Sequence, residues 1–301
     1  MTLPTRNQEP SVVSRALAML PAFRGNGRLA DALARVAARR DDGWTICSPG
    51  NGVVLRVNLR DRIERLMWGH VYEPHVQRCL AALLSPGDVY VDVGAHIGYH
   101  AVWASSLVGP TGKVFAFEAD PANFARLSEN LRAFPGSAAI NKAVWSSSEA
   151  VTFERSSQSG ESGWGTLTAV RDLKAGEHIE ACSVSLDDWS AEHQIDRLTL
   201  IKIDAEGSEV GILKGADTLI EKLRPAIISE VNAVVLKQAG SSSAVLLAIL
   251  ERHRYSLFEF EGMRLEAFPG SREPKSPEVL ALPVEQLEEL RPRLQRSGFR
   301  I

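Results

Sequence analysis

Between about residue 88 and residue 260, short β-branched or apolar runs alternate with longer stretches of helical period. Such alternation is the βαβ signature of a parallel sheet, whose neighbouring strands need crossovers long enough to be helices. Strands are expected at Asp88–Val93, Lys113–Glu118, Ala138–Val144, Leu198–Asp204, Ala226–Val231 and Tyr255–Phe260, with a late edge strand at Glu278–Pro283. Asp120 and Pro121 open a helix that runs to Phe134 as N-cap and N1 residues, and Phe124, Leu127, Leu131 and Phe134 give it one apolar face. Further helices are expected at Tyr99–Leu107, from Val210 to Leu223, where Pro225 stops the chain, and at Ser243–His253. The expected architecture is α/β, a doubly wound, mostly parallel sheet over residues 69–301, with residues 1–68 as an N-terminal helical extension or cap.

Composition narrows the function classes. A balance of 34 basic against 37 acidic side chains argues against a protein whose affinity rests on neutralising nucleic-acid phosphates. Cys47, Cys79 and Cys182 stand far apart without a CxxC pair, which indicates neither a disulfide framework nor a structural zinc site and suits a reducing compartment. No apolar run approaches the roughly 20 residues of a transmembrane helix. The first residues lack the order of a signal peptide, so a cytoplasmic location is expected. The Arg-containing segment from Ser11 to Arg40 could form an amphipathic surface helix, although a solvated helical cap is the preferred reading.

The segment Val91-Asp92-Val93-Gly94-Ala95-His96-Ile97-Gly98 joins the first strand to the first helix. A glycine-containing turn there lets backbone approach a ligand closely and aims the N–H groups of a helix N-terminus at an anion. Glu118, 24 residues after Gly94 at the end of the second strand, could accept both hydroxyls of a ribose. Together these features predict an adenosine-containing ligand at the carboxyl ends of strands one and two. A nicotinamide dinucleotide would favour G-x-G-x-x-G, whereas this turn has two glycines spaced four apart and a histidine, His96, where a pyrophosphate needs open backbone. S-adenosylmethionine, with its small carboxylate and ammonium, fits better. Residues 155–168, rich in Ser and Gly, read as a candidate lid. Trp164 within it and Trp68 could stack on a sugar face, against ordinary packing.

The ordered set VDVGAHIGYH, FAFEAD, INKAV, SLDDW, IKIDAEGSE, ILKGA and IISEV resembles the FkbM family of S-adenosylmethionine-dependent methyltransferases over roughly residues 69 to 283. The most specific element is Asp204-Ala205-Glu206-Gly207-Ser208-Glu209, where that family carries D-x-E-G-x-E. The resemblance implies a Rossmann-like class I fold and methyl transfer to a hydroxyl of a sugar, a glycosylated metabolite or a polyketide-type metabolite. It implies that Asp92, Gly94, Ala95, His96 and Gly98 hold the methionyl end of the cofactor, Glu118 the ribose, and Asn141 and Ala143 the adenine. Asp204 and Glu206 would face the transfer centre, and Tyr72 and Glu73 of GHVYEP would lie over the cofactor pocket.

An acceptor hydroxyl is a poor nucleophile while it keeps its proton, so a base is expected among Asp204, Glu206, His100 and Glu230, all near the carboxyl ends of expected strands. Each has a bland alternative: Glu206 could bind the cofactor's ammonium, Asp204 could cap the next helix, and His100 could pack inside the first helix. Glu230 has no evident capping duty and is expected to face the cleft. Asp204, Glu206 and Glu230 could also offer oxygen ligands to Mg²⁺, although no ligand spacing decides this and the metal stays unassigned. His70, His75, His178, His193 and His253 read as ordinary core or surface residues. A nicotinamide-dependent oxidoreductase and a non-catalytic adenosylmethionine-binding partner are the competing readings. The expected partner is a small hydroxylated acceptor, with no nucleic acid and no membrane span; a homo-oligomer stays open.

Overall fold

The computed structural model describes residues 10–19, 25–39, 42–155, 163, 165–167, 170 and 176–301. Helices α1 (Val12–Ala18) and α2 (Asn26–Ala38) come first, followed by strands β1 (Trp44–Gly50) and β2 (Val53–Asn58) and helices α3 (Arg62–Trp68) and α4 (Pro74–Leu83). The β1–β2 pair corrects the expectation that this region is essentially helical. Asn51 and Gly52 both take positive φ, 47° and 70°, which is the turn geometry that closes a tight hairpin. Leu55 and Val57 then alternate inward. They pack with Cys47, Met67 and Trp68 against Ile97 and Tyr99, so the N-terminal elements share a core with the first turn after the next strand.

The chain then runs through β3 (Val89–Val93), α5 (Tyr99–Val108), β4 (Lys113–Phe117), α6 (Pro121–Leu131), β5 (Ser137–Ile140), β6 (Ala143–Val144), β7 (Ala150–Arg155), β8 (Gly165–Leu167) and β9 (Glu177–Val184). After α7 (Leu186–Glu192) come β10 (Leu200–Ile203), α8 (Glu209–Lys214), α9 (Asp217–Leu223), β11 (Ala226–Glu230), α10 (Ala233–Gln238) and α11 (Ser243–Arg252). Strands β12 (Tyr255–Glu261), β13 (Arg264–Ala267) and β14 (Glu278–Pro283) and helix α12 (Leu287–Arg296) complete it.

The main sheet has the order β13-β12-β14-β11-β10-β3-β4-β5. Strands β11, β10, β3, β4 and β5 are mutually parallel, and β14 runs antiparallel to both its neighbours. Glu278–Pro283 is therefore an interior strand and not the edge expected from its late position. Its residues Val279 to Leu282 are all buried, as suits a strand paired on both sides and covered on both faces. Alternation along the strands separates two cores. Val89, Val91 and Val93 meet Leu213, Leu219 and Leu247 from α8, α9 and α11, while Tyr90 meets Leu80, Val102 and Leu127 from α4, α5 and α6.

Two expected elements divide. The strand over Ala138–Val144 breaks at Asn141-Lys142, so that β6 leaves the main sheet to pair with β9. Strands β6, β9, β7 and β8 form a second, four-stranded sheet where the sequence reads as irregular. The helix expected from Val210 to Leu223 breaks at Gly215, where a Cβ would stand 2.3 Å from the Trp145 carbonyl oxygen. The helix N-cap at Asp120 forms as expected: its carboxylate accepts from the Ala122 and Asn123 amides, and Arg155 binds the same carboxylate, tying α6 to β7. Among the described residues no helix is long and apolar enough to cross a membrane.

Candidate active site

Parallel strands leave their carboxyl ends on one side of the sheet, and the turns there enclose a cleft of about 590 Å³ with its open mouth included. Gly94 and His96 after β3, Glu118 after β4, Ala143 of β6, and Asp204 and Glu206 after β10 all line it. Gly94, at φ 77°, is required: a Cβ there would sit 1.8 Å from the Asp204 carbonyl oxygen, so the turns after β3 and β10 touch through it.

Glu118 is held from both sides. Its Oε2 accepts the His96 amide at 2.8 Å and its Oε1 the Asp120 amide at 2.9 Å. Burial pushes its carboxyl up to about 7, against those two amides. Glu209 has the corresponding duty in the acidic turn: its Oε1 accepts from Ala205 and Gly207, which folds the backbone so that Asp204 and Glu206 reach the cleft. Helix α8 has Ser208 at its N-cap, so Asp204 is free of the capping role considered for it. Its Oδ2 instead accepts a hydrogen bond of 2.8 Å from Lys202 Nζ.

Lys202 is the residue that sequence reasoning missed. It is 3% exposed, midway along β10, and its ammonium also lies 3.8 Å from Glu73 Oε2. His100 Nε2 stands 2.8 Å from the same Glu73 oxygen, and the Tyr72 ring stacks on His100 at 5.6 Å. The signal was a lysine inside LTLIKI, since a charge in a fully buried strand persists only with partners. Burial works to raise the Glu73 carboxyl, but Lys202, His100 and Tyr72 hold it well below the usual carboxylate range. Burial likewise works against the Lys202 charge, yet Asp204, Glu73 and Asp92 keep its pKa above that of an ordinary lysine.

The structure thus divides the candidates. Gly94, His96, Glu118, Ala143, Asp204 and Glu206 line the cleft. His100 is 4% exposed and engaged with Glu73, behind Lys202 and not on the cleft wall. Asn141 is exposed and donates to the Glu118 and Ala119 carbonyls, so it braces the turn after β4. Ala95 and Gly98 shape the turn: Ala95 donates to Phe117, and Gly98 at φ 92° precedes α5. Asp92 pairs in register with Lys202 across β3 and β10. Its carboxylate is fully buried beside the Tyr90 hydroxyl and the charges of Lys202 and His100, and burial raises it above the ordinary carboxylate range. Among the described residues no group of three or more His, Cys, Asp or Glu side chains is arranged to hold a metal. Of the candidate lid, Gly163 and Gly165–Leu167 of β8 line the cleft beside Phe153 of β7, and Thr166 Oγ1 donates to the Glu206 carbonyl at 3.0 Å. Trp164 lies outside the described residues.

Glu230 ends β11, and one carboxylate oxygen is buried without a partner. Burial, then the charges of Asp204, Glu206 and Glu209, push its carboxyl up to about 10, with Lys202 opposing. The native state therefore keeps a proton that the unfolded chain releases above about pH 4.5, so this contribution to stability is lost as pH rises. Urea unfolding should show stability falling between pH 7 and 9 by roughly 1 kcal/mol per pH unit. Glu230→Gln should flatten that slope; a slope unchanged in the variant would remove Glu230 as its source.

Residues 92–257, more than half of the chain, match the Methyltransferase FkbM domain. The chain belongs to the FkbM methyltransferase family. It is 30% identical over 164 residues to the hexuronic acid methyltransferase AglP of Haloferax volcanii, covering 54% of this chain and 64% of that relative's length. It is 26% identical over 239 residues to the 31-O-demethyl-FK506 methyltransferase FkbM of Streptomyces tacrolimicus, covering 71% of this chain and 89% of that relative. Among solved structures, Methyltransferase FkbM from Methylobacillus flagellatus aligns at 17% identity and a TM-score of 0.42, over 85% of this chain and 58% of that one. The doubly wound, mostly parallel sheet is thus that of an FkbM family member.

Proposed function

We propose that this FkbM family protein transfers a methyl group from S-adenosylmethionine to a hydroxyl of a sugar or polyketide-type acceptor. The observation that carries the reading is the cleft in which Glu118, fixed by two backbone amides, shares a wall with Asp204 and Glu206. The residues present fit the cofactor. Glu118 offers a carboxylate to a ribose diol, the Gly94–Gly98 turn gives close backbone approach, and Glu206 on the cleft wall offers an acidic group suited to an ammonium.

When bound, S-adenosylmethionine supplies a methyl carbon on a sulfonium, open to in-line attack. Asp204 would take the proton of the acceptor hydroxyl, so that the oxygen could receive the methyl group the donor would supply. Lys202 orients that carboxylate through its 2.8 Å hydrogen bond. Glu230 keeps its own proton at neutral pH and so does not serve as the proton acceptor. Strands β7 and β8 wall the cleft beside Glu206 and limit the water that competes for the transfer centre. The acceptor class draws support from the relatives, one named for a hexuronic acid and the other for 31-O-demethyl-FK506.

Calorimetry should show adenosylhomocysteine and S-adenosylmethionine binding in a one-to-one complex while NAD releases no heat. Tight NAD binding without adenosylhomocysteine binding would sink this reading. Methyl transfer from a labelled donor to hexuronic-acid glycans, but not to O-demethylated macrolides, would assign the sugar branch; the converse would assign the polyketide branch.

A further inference from the structure

The charges of this chain are segregated. Residues 1–40 hold seven arginines against only Glu9 and Asp31, while the remainder holds 27 basic against 35 acidic side chains. Exposed apolar side chains concentrate in the same place. Among the described residues seven large hydrophobics are exposed, and five of them, Val12, Val13, Met19, Leu29 and Val36, lie on α1, its C-cap and α2. Helix α2 separates its faces: Ala30 and Ala34 are fully buried, whereas Arg28, Leu29, Ala32, Arg35, Val36 and Arg39 recur at spacings of three and four on the exposed side.

This face is fixed to the body of the protein. Asp31 binds Arg65 of α3 at 2.5 Å, and Ser14 Oγ donates to the Trp68 carbonyl at 2.8 Å. Val13 of α1 and Val36 of α2 line one groove above Trp44 and Trp68, which makes the two helices a continuous surface.

We propose that the α1–α2 face docks on an anionic lipid membrane. Arginines interleaved with isolated Val, Leu and Met side chains match an interface where apolar groups enter the acyl boundary while guanidinium groups meet phosphate. A second copy of the chain would bring like charge against like, and a nucleic-acid backbone offers nothing for five exposed aliphatic groups. Helix α2 is tied through Asp31 to Arg65 of α3, the helix that leads into the Tyr72-Glu73 segment, so docking there sets the orientation of the cleft relative to the bilayer.

The test is co-sedimentation of the full chain with phosphatidylcholine vesicles and with vesicles containing about one third phosphatidylglycerol. Partitioning onto the anionic vesicles alone, weakened by salt, is the expected result. Leu29→Ser with Val36→Ser, and separately Arg28→Gln with Arg39→Gln, should each reduce it by about tenfold or more. Thermal unfolding and adenosylhomocysteine affinity should stay unchanged in both, since these side chains are exposed and away from the cleft. No partitioning, or equal partitioning onto neutral vesicles, would overturn the proposal. So would lipid-free self-association or RNA binding abolished by the same variants, which would assign the face to those partners. Because the assay needs no turnover, failure here leaves the methyltransferase reading standing.

Discussion

Asp204→Asn lowers kcat by roughly 10³-fold with the true acceptor, the size of a lost proton acceptor. The amide keeps the shape of the side chain but cannot take a proton, and it gives Lys202 no charge to meet at 2.8 Å. Because the turn is folded by Glu209 and not by Asp204, the cleft should survive, and adenosylhomocysteine should bind within roughly tenfold of the parent. A kcat within roughly threefold of the parent would move the role of base elsewhere, with Glu206 as the other carboxylate in the cleft. A variant that loses cofactor binding and kcat together would instead assign Asp204 to the cofactor.

Lys202→Met destabilises the fold by about 3–5 kcal/mol, because it leaves Asp204, Glu73 and Asp92 facing one another without their cation. In a chain of this size that lowers the Tm by of order ten degrees. The pH dependence separates this electrostatic cause from simple loss of packing. In the parent Glu73 is held below its ordinary range, so its contribution is present above about pH 4.5 and lost as the solution is acidified through its native pKa. Without Lys202 burial dominates, the buried carboxylates retain protons, and the variant should recover stability as pH is lowered toward about 5. Lys202→Arg should recover part of the loss, since it restores charge but not the compact ammonium. A drop in Tm that is equal at pH 5 and pH 8 would argue for packing alone.

The two cases differ in how far they could be read from sequence. Asp204 announces itself through DAEGSE after a strongly apolar strand, and Glu118 through its place at the end of the second strand. Their chemistry depends on strand ends, which periodicity locates well. His100 and Asn141 carry the same kind of signal but face elsewhere: one is taken by Glu73 and the other by two backbone carbonyls. Side-chain direction inside a turn or a first helical turn depends on neighbours remote in sequence, and no local pattern encodes them.

The β6-β9-β7-β8 sheet shows the same limit from the side of the fold. Its strands are separated by stretches of Ser, Gly and Glu that read as loop, and β8 has only three residues. Such strands form because a partner strand and the cleft wall receive them, and propensity contributes little. The hairpin before α3 was more accessible, since Asn51-Gly52 between alternating apolar residues is itself a turn signal.

Local residue pattern was therefore enough for the parallel α/β order, the glycine turn, the paired acids of the cleft and the arginine-rich, acid-poor start of the chain. These are properties of spacing and composition, and they survive without knowledge of what lies nearby. Tertiary packing was needed to bring Glu73, from before the first strand of the main sheet, to Lys202 in the middle of β10 and to His100 in α5. It was needed also to insert β14 between β11 and β12. The reason is physical: a buried charge is tolerated only where opposite charges from distant segments converge, and that convergence exists only once the sheet has assembled.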